Sequence, residues 1–139
     1  MARAEHVTRD LIGHGTHTCA GCAGSMAVRQ IIAGLNTDDV IVETSCVCAG
    51  GASLWTTLPT ICLMFSNTAS VASGVSAALH ALKRTSTTVV AFGGDGGTAD
   101  IGLSAVSGAA ERDDDMIYVC LDNEAYMNTG MQKSGTTPM

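Results

Sequence analysis

The sequence predicts an α/β protein built on a parallel sheet with helices on both faces. Three observations predict it. Short apolar runs rich in β-branched residues recur at 40–44, 87–92 and 116–121, nearly continuous rather than alternating, as in strands buried on both sides. Segments of helical spacing separate them, which fits right-handed crossovers between parallel strands. Finally, 139 residues with 46% apolar content are enough to bury a core, which excludes disorder.

Each element has a local cause. After Gly24, residues 25–34 are expected to be helical, with Ser25 as cap and Gly34 as stop. Asn36, Thr37, Asp38 and Asp39 then form a turn before the strand 40–44. A second helix is expected to pack through Val71, Val75, Ala78, Leu79 and Leu82, with Lys83 and Arg84 at its C-terminal end, where cations suit the dipole. The strand 87–92 ends in Gly93-Gly94-Asp95-Gly96-Gly97, and Thr98 is placed to cap a third helix reaching Arg112. Asp113, Asp114 and Asp115 are a solvated loop, residues 116–121 are the third strand, and Asp122 onward is loop. No internal repeat is present.

Composition narrows the function. Only 14% of residues are charged, so the chain is expected to be a subunit with surface covered by other polypeptides. A net charge of -6 with no basic cluster argues against nucleic acid as a partner. No window approaches the ~18 consecutive apolar residues of a membrane span, and no secretory leader is evident; a cytoplasmic location is expected. Sixteen Gly beside one Trp, two Tyr and two Phe imply close backbone packing around a ligand.

Ligands of parallel sheets lie beyond the carboxyl ends of the strands, and here those ends deliver Cys46, Asp95 and Asn123. Gly94-Asp95-Gly96 gives a backbone that can turn sharply beside one hard carboxylate, with a helix start just beyond. That pairing suits a magnesium-bound phosphate, because the carboxylate holds the divalent ion and the helix end favours the anionic oxygens. The tripeptide alone is also an ordinary strand-to-helix turn. One helix and one strand later, after the 26 residues 97–122, Asn123 offers an amide oxygen at the next strand end.

The cysteines point to a second site. Cys19-Ala20-Gly21-Cys22 precedes the first helix and Cys46 follows the first strand. Six cysteines without a leader suggest reduced thiols or metal ligands rather than disulfides. The spacing fits zinc, a redox pair or an iron-sulfur cluster alike, and His14 and His17 could complete a zinc site with Cys19 and Cys22. Cys62 and Cys120 are expected to be buried small hydrophobes, and His80 a structural or surface residue.

Gly94-Asp95-Gly96 followed by Asn123 resembles the thiamine diphosphate motif. The run from Leu121 through Asp122-Asn123-Glu124-Ala125-Tyr126-Met127-Asn128-Thr129-Gly130-Met131-Gln132-Lys133-Ser134-Gly135-Thr136-Thr137 to Pro138 resembles the β subunits of pyruvate (2-oxoacid):ferredoxin oxidoreductases, and the resemblance extends from about Thr18 to the last residue. It implies a thiamine diphosphate-binding, pyrophosphate-domain fold over residues 1–139, with an N-terminal iron-sulfur ligand loop. It also implies that Asp95, the Asn123 side chain and the Ala125 carbonyl bind Mg2+, and that Gly94, Gly96, Gly97, Tyr126, Met127 and Thr129 contact the cofactor. Asn128 matches the asparagine beside its reacting carbon. Glu124 is either an outer acceptor around the metal or an exposed loop residue.

The same resemblance assigns Cys19, Cys22 and Cys46 to a 4Fe-4S cluster, with Cys48 as a competing third ligand. The family's fourth cysteine lies in a C-terminal extension, relative to which this chain is short; another polypeptide or Cys48 would supply it, or the cluster is altered. The implied reaction is coenzyme A-dependent oxidative decarboxylation of a 2-oxoacid, with electrons passing through the cluster to ferredoxin. The general base for the thiamine comes from an α-type partner, and γ- and δ-type subunits are further expected partners. Two alternatives differ in their cysteines: a cluster-free thiamine-dependent decarboxylase or synthase subunit, and a noncatalytic zinc-binding interaction module.

Overall fold

The structure, a computed structural model, describes residues 11–13, 18–44 and 56–139. His14, His17, Cys46 and Cys48 lie outside the described residues. Four parallel strands form one sheet: β1 (Val40–Thr44), β2 (Thr60–Leu63), β3 (Val89–Gly94) and β4 (Ile117–Leu121), in the order β2-β1-β3-β4. Helix α1 (Ala23–Ile32) precedes β1, α2 (Thr68–Ala81) joins β2 to β3, and a π-helical turn (Gly96–Ile101) followed by α3 (Leu103–Glu111) joins β3 to β4. A short antiparallel hairpin, β5 (Ala125–Tyr126) and β6 (Gln132–Lys133), follows.

Alternation along the central strands splits the core into two layers. Ile41, Val90 and Phe92 face Val28 and Ile32 of α1, together with Leu11, Ile12 and Leu58. Val42, Val89 and Ala91 face Ala72 and Leu79 of α2 on the other side. Helices therefore cover both faces, as the continuous apolar runs predict. Among the described residues no helix is long and apolar enough to cross a membrane.

Several local expectations are corrected. Cys22, not Ser25, occupies the cap of α1; Ser25 lies in the first turn, where its hydroxyl donates to the Cys22 carbonyl at 2.8 Å. The buried face of α2 is Thr68, Ala69, Ala72, Ser76 and Leu79; of the expected face Leu79 is buried and Val71 and Val75 pack half-buried against the same layer, while Ala78 is exposed. Leu82 lies beyond its end, 70% exposed. Thr98 does not cap a helix: the chain enters the π turn directly from Asp95, and the Thr98 hydroxyl turns back to donate to the Gly94 carbonyl at 2.6 Å. The edge strand β2 is an addition to the expected strands: it opens the apolar run Ile61-Cys62-Leu63-Met64-Phe65, in which Ile61 alone is β-branched. Cys62 on β2 and Cys120 on β4 are exposed rather than buried, because both strands are sheet edges with one flank uncovered. Residues after Asp122 are not all loop, since β5 and β6 pair there.

Asp39 fixes the start of the sheet. It is 1% exposed, and its carboxylate accepts the backbone N–H of Asn36 and of Thr88, each at 2.7 Å. It thus ties the turn before β1 to the residue that leads into β3. Asp39→Ala leaves both donors without an acceptor and is expected to cost about 2–4 kcal/mol. A lowered urea midpoint at unchanged m-value is the result that checks this; an unchanged midpoint would refute it.

Candidate functional site

The site follows from strand order. β3 and β4 are neighbours with Gly94 opposite Leu121, so the residues just past their ends, Asp95 and Asn123, emerge side by side. Asp95 is 4% exposed. With its amide nitrogen turned inward, Asn123 donates to Asp95 Oδ1 at 3.2 Å and to the Ala125 carbonyl at 2.8 Å. The opposite amide orientation has the same shape and places an oxygen at those distances from the same two oxygens.

That second orientation has a chemical use. Adjacent ligands of an octahedral Mg2+ with metal-oxygen distances of 2.0–2.1 Å lie about 2.9 Å apart. The Asn123 amide stands near this spacing from both Asp95 Oδ1, at 3.2 Å, and the Ala125 carbonyl, at 2.8 Å, and with one anionic and two neutral oxygens the residues present fit a divalent cation. Glu124 creates the bend: its φ of 61° lies in the left-handed region, and its N–H is satisfied by Asp122 Oδ1 at 2.8 Å. The Glu124 residue is exposed, matching the exposed-loop alternative. Among the described residues no group of three His, Cys, Asp or Glu could hold a metal; the oxygen trio uses one carboxylate, one amide and one carbonyl.

The hairpin is clamped over the π turn. Tyr126 packs against Gly96 so closely that a Cβ on Gly96 would enter its ring, and its hydroxyl reaches the Gly96 carbonyl at 3.2 Å and Asp100 Oδ2 at 2.8 Å. The Gly135 N–H donates to the same Asp100 oxygen at 2.9 Å. Phe65 lies 6.1 Å from the Tyr126 ring, centroid to centroid. Gly96 and Gly97 are therefore buried beneath aromatic side chains, while Gly94 is half-buried. Met127, Asn128 and Thr129 are exposed in the hairpin turn, which closes with the Met131 N–H donating to the Tyr126 carbonyl at 3.1 Å. Behind β3, burial pushes the Tyr118 phenol up, an effect opposed by its hydrogen bond with Thr98.

A group absent from the sequence-based site completes it. Ser134, 2% exposed, donates its hydroxyl proton to Asp95 Oδ2. Thr136 Oγ1 lies 3.2 Å from that oxygen and 2.8 Å from Asp122 Oδ1, and the Thr137 hydroxyl donates to the Glu124 carbonyl. The only signal was a run of hydroxyls in Ser134-Gly135-Thr136-Thr137.

The cysteine loop lies near this site. The Cys22 N–H donates to the Cys19 carbonyl at 3.1 Å in a turn that Gly21 makes possible with φ 74°, and Cys19 is exposed with Cys22 half-buried. A cleft of about 390 Å³ joins the start of α1 to the end of β4, lined by Cys22, Ala23, Ala27, Leu121, Asp122 and Asn123 among others. One of the assigned cysteines, Cys22, thus lines the same cleft as Asn123.

Comparisons with known proteins bear on the family and the fold. The chain is 47% identical over 93% of its length to pyruvate synthase subunit PorB of Methanothermobacter thermautotrophicus, covering 46% of that protein. It is 40% identical to ketoisovalerate oxidoreductase subunit VorB of Pyrococcus abyssi over 89% of this chain and 43% of the relative. The chain thus spans a little under half the length of these relatives. Among solved structures, 2-oxoglutarate:ferredoxin oxidoreductase from Magnetococcus marinus, with 2-oxoglutarate, coenzyme A and succinyl-CoA bound, superposes with a TM-score of 0.73 at 26% identity, over 89% of this chain and 43% of that one. The family model for the thiamine pyrophosphate enzyme C-terminal TPP binding domain matches residues 50–139, which contain the oxygen trio, the π turn and the hairpin, and the chain belongs to that family.

Proposed function

We propose that the chain is part of the β subunit of a 2-oxoacid:ferredoxin oxidoreductase, with pyruvate as the 2-oxoacid, and that it holds thiamine diphosphate through Mg2+. The observation that carries this is the Asn123 amide standing 3.2 Å from Asp95 Oδ1 and 2.8 Å from the Ala125 carbonyl at adjacent strand ends. Membership of the thiamine pyrophosphate family and similarity to PorB and VorB subunits support it. The bound cofactor would supply the electron sink for decarboxylation.

The chain's own residues supply position. Asp95, Asn123 and Ala125 would fix the cation and with it the diphosphate. Tyr126, Met127 and Thr129 would line the cofactor, with Asn128 beside its reacting carbon. Cys19, Cys22 and Cys46 would hold a 4Fe-4S cluster, Cys48 being the competing third ligand, on the loop that leads into the same cleft. The base for the thiamine would come from an α-type partner, with coenzyme A and ferredoxin as further partners.

The test is reconstitution. Anaerobic mixing with an α-type subunit is expected to give 2-oxoacid- and coenzyme A-dependent viologen reduction, and the chain alone none. Turnover by the chain alone would refute the need for a partner. Metal content separates the alternatives: Mg2+ without iron would favour a cluster-free thiamine subunit, and stoichiometric zinc without thiamine diphosphate affinity would favour an interaction module.

A further inference from the structure

We propose that Ser134 and Thr136 are positioning residues for the divalent cation, selecting which oxygen of Asp95 faces it. The inference rests on the Mg2+ assignment above. A carboxylate has two equivalent oxygens, and a buried one can swing between them unless something distinguishes the pair. Here the two are not equivalent. Oδ2 accepts the Ser134 hydroxyl and has Thr136 Oγ1 at 3.2 Å, whereas Oδ1 faces Asn123 at 3.2 Å. The hydroxyl pair therefore occupies one oxygen and leaves the other directed at the remaining candidate ligands.

Proton counting makes the bracket specific. Ser134 has one hydroxyl proton, and Asp95 Oδ2 takes it. Thr136 also has one, shared between Asp122 Oδ1 at 2.8 Å and Asp95 Oδ2 at 3.2 Å, with Asp122 the nearer acceptor. Asp122 in turn accepts the Glu124 N–H at 2.8 Å, the residue whose left-handed backbone brings Asn123 onto Ala125. Thr137 closes the circuit by accepting the Ser134 N–H at 2.9 Å and donating to the Glu124 carbonyl. The segment thus holds Asp95 directly and Asn123 and Ala125 through their neighbours Asp122 and Glu124, and partners that orient metal ligands in this way commonly set affinity.

The experiment titrates the full chain with Mn2+ in the presence of thiamine diphosphate, reading the free Mn2+ spin-resonance signal, with thiamine diphosphate affinity measured in parallel by calorimetry with and without Mg2+. Ser134→Ala with Thr136→Val is expected to weaken Mn2+ binding on the order of 10–100-fold. Thr136→Ser, which retains the hydroxyl, is expected to stay near wild type while Thr136→Val alone weakens binding. Should the double variant fail to fold, the Thr136→Val and Thr136→Ser pair decides, since Thr136 is half-buried and valine keeps its shape. Equal Mn2+ affinity for that pair, or for the folded double variant and wild type, would overturn the proposal. Asp95→Asn separates the two levels. If it loses Mn2+ binding while the hydroxyl variants keep it, only the positioning role falls; if it binds as tightly as wild type, the cation site falls as well.

Discussion

Asp95→Ala is expected to abolish Mg2+-dependent binding of thiamine diphosphate. Of the three oxygens that converge at the ends of β3 and β4, only that of Asp95 carries charge. Mg2+ gives up its waters reluctantly, so an amide and a carbonyl alone are weak recompense for dehydration. The loss should exceed the roughly 10–100-fold that outer-shell partners contribute. Calorimetric titration of the variant with thiamine diphosphate, with and without Mg2+, checks this. Affinity that stayed Mg2+-dependent and within a few-fold of wild type would exclude Asp95 as the anchor. Thermal melting should accompany the titration, because Asp95 is also the acceptor of the buried Ser134 hydroxyl.

Gly102→Ala should have the largest effect on the fold around the site. Gly102 stands where the π turn passes into α3, with φ -97° and ψ 2°, a conformation open to any residue; the constraint is space. A Cβ there would fall on the Gly97 carbonyl oxygen and lie 3.0 Å from that of Ser66. Both obstacles are backbone, so neither can rotate aside, and the turn itself must shift. Overpacking of this kind costs about 1–3 kcal/mol, a loss of several degrees in Tm, and the displaced turn begins directly after Asp95. Gly74→Ala provides the contrast. A Cβ at this exposed position inside α2 meets nothing within 4 Å among the described residues, so the same substitution should stabilise by about 0.5–1 kcal/mol through helix propensity. Equal Tm shifts for the two variants would contradict the steric account.

The two layers of the core were legible in the sequence because burial on both faces leaves a continuous apolar run, as in β1 and β3. The oxygen trio was legible as a list of residues: a carboxylate among glycines and an asparagine one helix and one strand later. The face of α2 was legible only in part. Its valines have helical spacing and pack half-buried against the sheet layer, but the fully buried positions include Ala69, Ala72 and Ser76, since small residues allow a closer approach than branched ones. Cys62 and Cys120 misled for a related reason: free cysteine is commonly buried, and only the order of strands shows that both lie on edges.

The amino-acid sequence by itself determined the α/β architecture, the alternation of strands and helices, and the residue types able to bind a phosphate-bearing cofactor through a cation. These depend on periodicity and short spacing, which are local properties of a chain. Tertiary structure alone decided that β3 and β4 are neighbours, that Asn123 faces both Asp95 and Ala125, and that Ser134 returns across 39 positions to hold the second oxygen of Asp95. Such contacts join segments with no shared pattern, so their partners are fixed only when the sheet sets strand order and the hairpin folds back over its ends.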